Sequence, residues 1–171
     1  MTQETVTYLT NIVIITILAC LITHYWLRQG RTPAMRWWMI SAWVMLAADV
    51  LFAARPELPQ WLGRTLPTLF VTVGHAGLYF GACRTAGLSA NARGVGAMLI
   101  THAAGLVYFL TLTHHSDWRM VFNGVIWAAV SFASYQAMHS APLVFWKSLV
   151  APANAFLLHG IFHCLRVALA I

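Results

Sequence analysis

Charge is what this sequence has least of. Charged side chains make up 8% of its 171 residues, against roughly 25% in a soluble domain. The acids are Glu4, Asp49, Glu57 and Asp117. An ion is costly in hydrocarbon, so this shortage argues against a soluble domain and for lipid surroundings. The net charge of +6 comes from basic residues that lie singly between apolar runs. That spacing fits membrane topology and leaves no phosphate-binding face, so nucleic acid is not an expected partner. Cysteine is scarce too. Cys20, Cys83 and Cys164 form no C-x-x-C pair and sit in or beside apolar runs. They read as small apolar residues, not as a disulfide framework or a zinc site. No P-loop, nucleophile elbow or dinucleotide fingerprint occurs, so no catalytic residue can be named and no enzyme activity is expected. Residues 1–11 lack the basic segment of a cleavable signal, and the first apolar run reads as a mature helix.

What the sequence has in abundance is apolar length. Apolar residues make up 60% of the chain, and mean hydropathy is +0.72. About six runs approach the roughly 20 residues that a bilayer-crossing helix needs. They fall at about 6–27, 37–54, 65–83, 94–113, 119–138 and 146–170. The connections between them are short and hold Pro, Gly, Arg and Trp, which implies antiparallel neighbours. The expected fold is therefore all-α: one polytopic domain over 1–171, six transmembrane helices in an antiparallel bundle. With the N-terminus outside, inner loops would hold Arg28, Arg31, Arg36, Arg84, Arg93 and Lys147. Outer loops would hold Arg55, Arg64 and Arg119. Six basic residues against three favour that orientation, with the C-terminus outside as well.

Polar residues inside the spans are the candidate functional groups, because each is expensive to keep there. Gly74, Gly77 and Gly81 form a strip on the third span, where a second helix can approach closely or a second copy can dimerise. His75 lies mid-span on the same helix. His102 is near the middle of the fourth span. His159 and His163 are one turn apart on the sixth, with Arg166 following at i+7 of His159, so the three are expected on one face. Asp49 is the acid deepest in a span, and Asp49, His163 and Arg166 are expected at similar depth as one polar site. His24, His114, His115 and His139 fall at or near span ends, where interfacial or loop roles are expected. Among the histidines the alternatives are an interhelical hydrogen-bonding network, a ligand or proton site, and a metal or haem site built from His75, His102, His159 and His163. A histidine pair at i, i+4 can chelate one metal, whereas haem needs axial histidines on two facing helices, such as His75 with His159.

Four stretches carry a resemblance. They are RTPAMRWWMISAWVMLAADVLFAARPELPQWL (31–62), TVGHAGLYFGACRTAG (72–87), VYFLTLTHHSDWRMVFNGVIWAA (107–129) and FLLHGIFHCLRVALA (156–170). Their basic inner loop, paired aromatic entry, R-x-x-L-P-x-W-L outer turn and Asp-x-Arg helix opening resemble the multi-span N-terminal sensory regions of bacterial diguanylate cyclases, the GGDEF-domain signalling proteins. The resemblance implies a sensor in a bacterial inner membrane that serves cyclic di-GMP signalling. No GGDEF-type output domain occurs up to Ile171, so an excised sensor region or a stand-alone relative is implied. The expected function is a membrane-integral sensory or regulatory module, in which a ligand or protonation change at Asp49, His75, His159, His163 and Arg166 biases helix packing. A histidine-ligated haem or metal redox protein and a small accessory subunit of a larger membrane complex are the alternatives.

The orientation is checked by cysteine labelling. In a chain whose native cysteines are replaced by serine, Gln3→Cys is expected to react with a membrane-impermeant maleimide applied to intact cells. Reaction only after the membrane is opened reverses the topology.

Overall fold

The computed structural model describes residues 3–28, 31–111 and 116–169. His114 and His115, two of the span-end histidines, lie outside the described residues. Among these residues the chain is helical without strands. The helices are α1 (Gln3–Arg28), α2 (Pro33–Ala53), α3 (Gln60–Thr85), α4 (Ala92–Thr111), α5 (Ser116–His139) and α6 (Leu143–Ala168), with a 3-10 turn over Arg55–Glu57.

Several helices begin earlier than hydropathy alone indicates. For α2 the expected start at 37 is corrected to Pro33. Proline is preorganised for the first helical position, and the preceding Thr32 side chain accepts from the Met35 amide at 3.4 Å. Arg36 therefore falls in the first turn of α2, while Arg31 stays in the connection before it. α3 starts at Gln60, not 65, because the Pro59 carbonyl takes the Gly63 amide at 2.9 Å. Pro67, seven residues further in, does not break the helix. α6 starts at Leu143 after Pro142, three residues before the expected 146. The end of α3 follows its glycine. Gly87 adopts φ +74°, the Leu88 amide reaches the Cys83 carbonyl at 2.8 Å, and the Gly87 amide reaches Arg84 at 3.3 Å. This bond pair is a Schellman closure, which needs a left-handed residue at that point.

Among the described residues, five helices are long and apolar enough to cross a membrane: Val6–Arg28, Pro33–Ala53, Trp61–Thr85, Ala92–Thr111 and Ser148–Ala168. α5, expected as a further span over 119–138, has the length, at 24 residues, but not the composition. Asp117, Arg119, Asn123, Ser131, Ser134 and Gln136 lower its hydropathy. Two of these are turned inward, since Ser131 and Ser134 are buried and donate to the carbonyls of Trp127 and Val130 one turn back, each at 2.8 Å.

The placement of side chains departs from that of a soluble domain, although apolar residues such as Leu46, Leu106 and Met138 are buried as well. Ser41, Thr68, Thr72, His75, His102, Ser131, Ser134 and His163 are buried, while Val13, Ile14, Leu21, Ile100, Leu158, Phe162 and Leu165 are exposed. Apolar side chains turned outward along whole helices suit a hydrocarbon solvent, and polar ones must then find partners inside.

Residues Met1–Gly77 and Leu78–Ile171 form two compact units, with the division inside α3. In the first unit α1 packs along α2. Tyr8 stacks on Phe52 with centroids 5.4 Å apart, and Trp43 Nε1 donates to Thr23 Oγ1 at 3.0 Å. Ser41 Oγ on α2 donates to the Gly74 carbonyl on α3 at 2.5 Å. A Cβ on Gly74 would run into the Met45 side chain, and one on Gly77 would meet Ser41 Oγ at 2.5 Å. These two glycines thus admit α2. Gly81 is buried further along α3, in the second unit. There α5 packs along α6 and, less extensively, against α4. A Cβ on Gly124 of α5 would meet Val167, and one on Gly160 of α6 would meet the Phe132 ring, so each helix supplies a notch for the other. Ala86, Ala141 and Leu149 form a small apolar cluster.

Overpacking at the α2–α3 contact is expected to cost about 1–3 kcal/mol. Gly77→Leu should therefore lower the unfolding temperature in detergent. Wild-type stability of that variant means that α2 does not lie against Gly77.

Candidate ligand site on the last two helices

α5 and α6 bring together side chains of complementary chemistry. Ser131 Oγ lies 2.8 Å from the Trp127 carbonyl and 3.0 Å from His159 Nδ1. A hydroxyl has one proton, and a carbonyl can only accept. Ser131 therefore donates to Trp127, and its oxygen accepts from His159 Nδ1–H. The lone pair of that imidazole is left on Nε2. One turn on, His163 meets His159 edge to face, with ring centroids 4.5 Å apart at 79°. Trp127 closes the other side, its ring 5.4 Å from that of His163. A ring nitrogen of His159 and one of His163 come within 4.8 Å of each other. His163 is buried and His159 half-buried.

The α4–α5 contact has a different character. His102, fully buried, lies with Nε2 2.8 Å from Asn123 Oδ1, so the ring donates to the amide oxygen. Phe122 packs on the same imidazole at 5.5 Å and also on Phe109 at 5.7 Å. Gly105 lies against the edge of the Phe122 ring, where a Cβ would clash. His102 is thus held in a polar clasp whose Nε2 is already used as a donor.

The remaining predicted residues are placed as follows. In the first unit His75 is buried and its Nδ1 donates to the Val71 carbonyl at 2.8 Å, the tautomer of His159. Asp49 is half-buried on α2. On α6 His163 faces inward, whereas Arg166, three residues later in the last turn, is exposed. The three positions fall within about 60° of one another around the α6 axis, and along that face the two histidines are covered while Arg166, near the helix end, is not. Ser131, Trp127 and Asn123 were missed by sequence reasoning. The available signal was the low hydropathy of α5, since polar side chains in a helix of this length need partners. Two open cavities of about 270 and 250 Å³ share Tyr79 and Ala133 as lining residues, and no histidine lines either of them.

Fold and site together define the class: an all-helical protein whose helices suit a membrane, with histidines buried among them. No family model, no curated protein and no solved structure matches the chain.

The His102–Asn123 clasp is testable by a double-mutant cycle. Asn123→Leu removes the acceptor used by His102 Nε2 and is expected to cost about 1–3 kcal/mol. Adding His102→Leu should recover part of that loss, because both polar partners are then gone. Additive losses mean that the two side chains do not interact.

Proposed function

We propose that the chain is a membrane-integral sensory or regulatory module of a bacterial inner membrane, its N-terminus outside, in which a small ligand held at His159 and His163 biases the packing of α6 on α5. The observation that carries this reading is the hydrogen bond from His159 to Ser131. It makes the contact between two helices depend on the chemical state of one imidazole. A ligand bound through His159 Nε2 changes the charge and the freedom of a ring that is tied across that contact. Such a ligand shifts the packing only if it binds one arrangement more tightly than another. The sensory half of the reading is supported by the resemblance of 31–62, 72–87, 107–129 and 156–170 to diguanylate cyclase sensory regions.

The tag-free chain in lipid nanodiscs provides the test, with zinc, haemin and a short-chain ubiquinone as probes. A ligand at a hundred times its Kd stabilises by about 2.7 kcal/mol, which raises Tm by several degrees in a chain of this size. At least one probe is expected to do this and also to alter amide hydrogen exchange in α5 and α6. Both effects should vanish in His159→Gln and His163→Gln. No response to any probe, or an unchanged response in the two variants, overturns the assignment of the site. Binding without any change in α5 or α6 overturns the regulatory role.

A further inference from the structure

We infer that His159 and His163 bind a divalent transition-metal ion of the zinc class, with Ser131 as the residue that orients His159. This names the ligand of the site proposed above and rests on that placement. Three features converge on it. The first is proton placement. Because Ser131 has already given its proton to Trp127, it can hold His159 only through Nδ1–H, which presents an unprotonated Nε2. A metal-ligating histidine is ordinarily held in this way, with its second nitrogen donating to a fixed acceptor that sets the tautomer and the ring plane.

The second feature is spacing. Residues one turn apart on a helix project side by side, and the two rings bring nitrogens within 4.8 Å of each other. Tetrahedral zinc with bonds of about 2.0–2.1 Å sets two ligand nitrogens roughly 3.3 Å apart. A rotation of the His163 ring about its side-chain torsions closes that difference. The same arrangement disfavours haem at this pair. Axial ligands must approach iron from opposite faces of a macrocycle, and two rings on one helix with centroids 4.5 Å apart leave no room for it.

The third feature is donor chemistry. Imidazole nitrogens suit zinc, copper, nickel and iron, whereas magnesium and calcium take oxygen ligands. Among its described side chains α6 has no carboxylate, and its Cys164 thiol, next to His163, is exposed. Two neutral nitrogens hold an ion without cancelling its charge, and water or an anion fills the remaining positions. Reversible binding of this kind suits an effector better than a permanent structural ion. His163 is five residues from the end of α6 at Ala168, about 7.5 Å along the axis, a short path for an ion from the end of the helix.

The experiment is a zinc titration of the tag-free, chelator-stripped chain in detergent, in competition with a chromophoric chelator. Cobalt absorption and copper electron paramagnetic resonance report the ligands. About one equivalent of zinc is expected, with nitrogen hyperfine structure on copper. His159→Gln and His163→Gln should each abolish stoichiometric binding. Ser131→Ala should weaken it by roughly 10–100-fold, the usual effect of losing an outer partner, and Ser131→Thr should restore it. His102→Gln should bind as wild type. Far-UV circular dichroism establishes whether each variant is folded. Zinc protection of His159 and His163 in the wild-type chain against carbethoxylation, read by mass spectrometry, tests the site without any substitution. Absence of stoichiometric binding, or retention of it in both histidine variants, overturns the inference. Wild-type affinity in Ser131→Ala removes the orienting role. Failure with zinc alongside success with haemin in the stability test leaves the regulatory site standing and this ion wrong. Zinc binding without a hydrogen-exchange response has the opposite meaning.

Discussion

In a helix surrounded by hydrocarbon, a hydroxyl that does not share its proton is left without a water to take it. This chain meets that constraint in one recurring way. Thr10, Thr16, Thr23, Thr68, Thr72, Thr85, Thr111, Ser131 and Ser134 each donate to the carbonyl one turn back in their own helix. The consequence reaches beyond the helix. A hydroxyl whose proton is committed can act towards its neighbours only as an acceptor. Thr23 therefore receives the Trp43 indole N–H, and Ser131 receives the His159 Nδ1–H. The contacts of α1 with α2 and of α5 with α6 share this device, although the donors differ. Hydrogen bonds between membrane helices contribute on average about 0.6 kcal/mol, too little to drive association alone. Their main effect is to select the partner and to set its tautomer.

Close packing does the rest. Between apolar helices in lipid there is little hydrophobic gain from association, so backbones must come near enough for dispersion contacts. Gly74 and Gly77 let α2 approach α3, while Gly124 and Gly160 let α5 and α6 notch into each other. The glycines and the histidines of the second unit are therefore parts of one arrangement. Gly160 lies next to His159, and a Cβ on Gly124 would lie 3.5 Å from the His163 carbonyl. Close approach of the two backbones is what brings Ser131 within reach of a ring on the facing helix.

The functional reading follows from the contrast between the two polar clasps of the second unit. His102 donates its Nε2 proton to Asn123, and aromatic rings cover it, which makes a fixed joint between α4 and α5. His159 donates through the other nitrogen, next to a second imidazole, which places its lone pair on Nε2. The first arrangement locks a contact. In the second, the proposed ligand would meet Nε2 while the ring stays tied to α5 through Nδ1.

The sequence by itself determined that the chain is helical, where its apolar runs lie, and that glycines and histidines are the residues to watch. Helix formation and hydropathy are properties of neighbouring residues, so the pattern around Ala97 or Ile14 is legible without any partner. Even the early start of α2 was readable in hindsight, since Thr32 and Pro33 are a local capping signal that a hydropathy window averages away. The tertiary structure alone decided which polar residues meet. His159 and Ser131 are 28 residues apart, and the choice between them and any other pair depends on how far α6 is rotated against α5. Packing also covered His163 and left Arg166, near the end of the same helix, exposed. Spacing at i, i+4 and i+7 puts three side chains on one side of a helix, but it does not say how far along that side the neighbouring helix covers them.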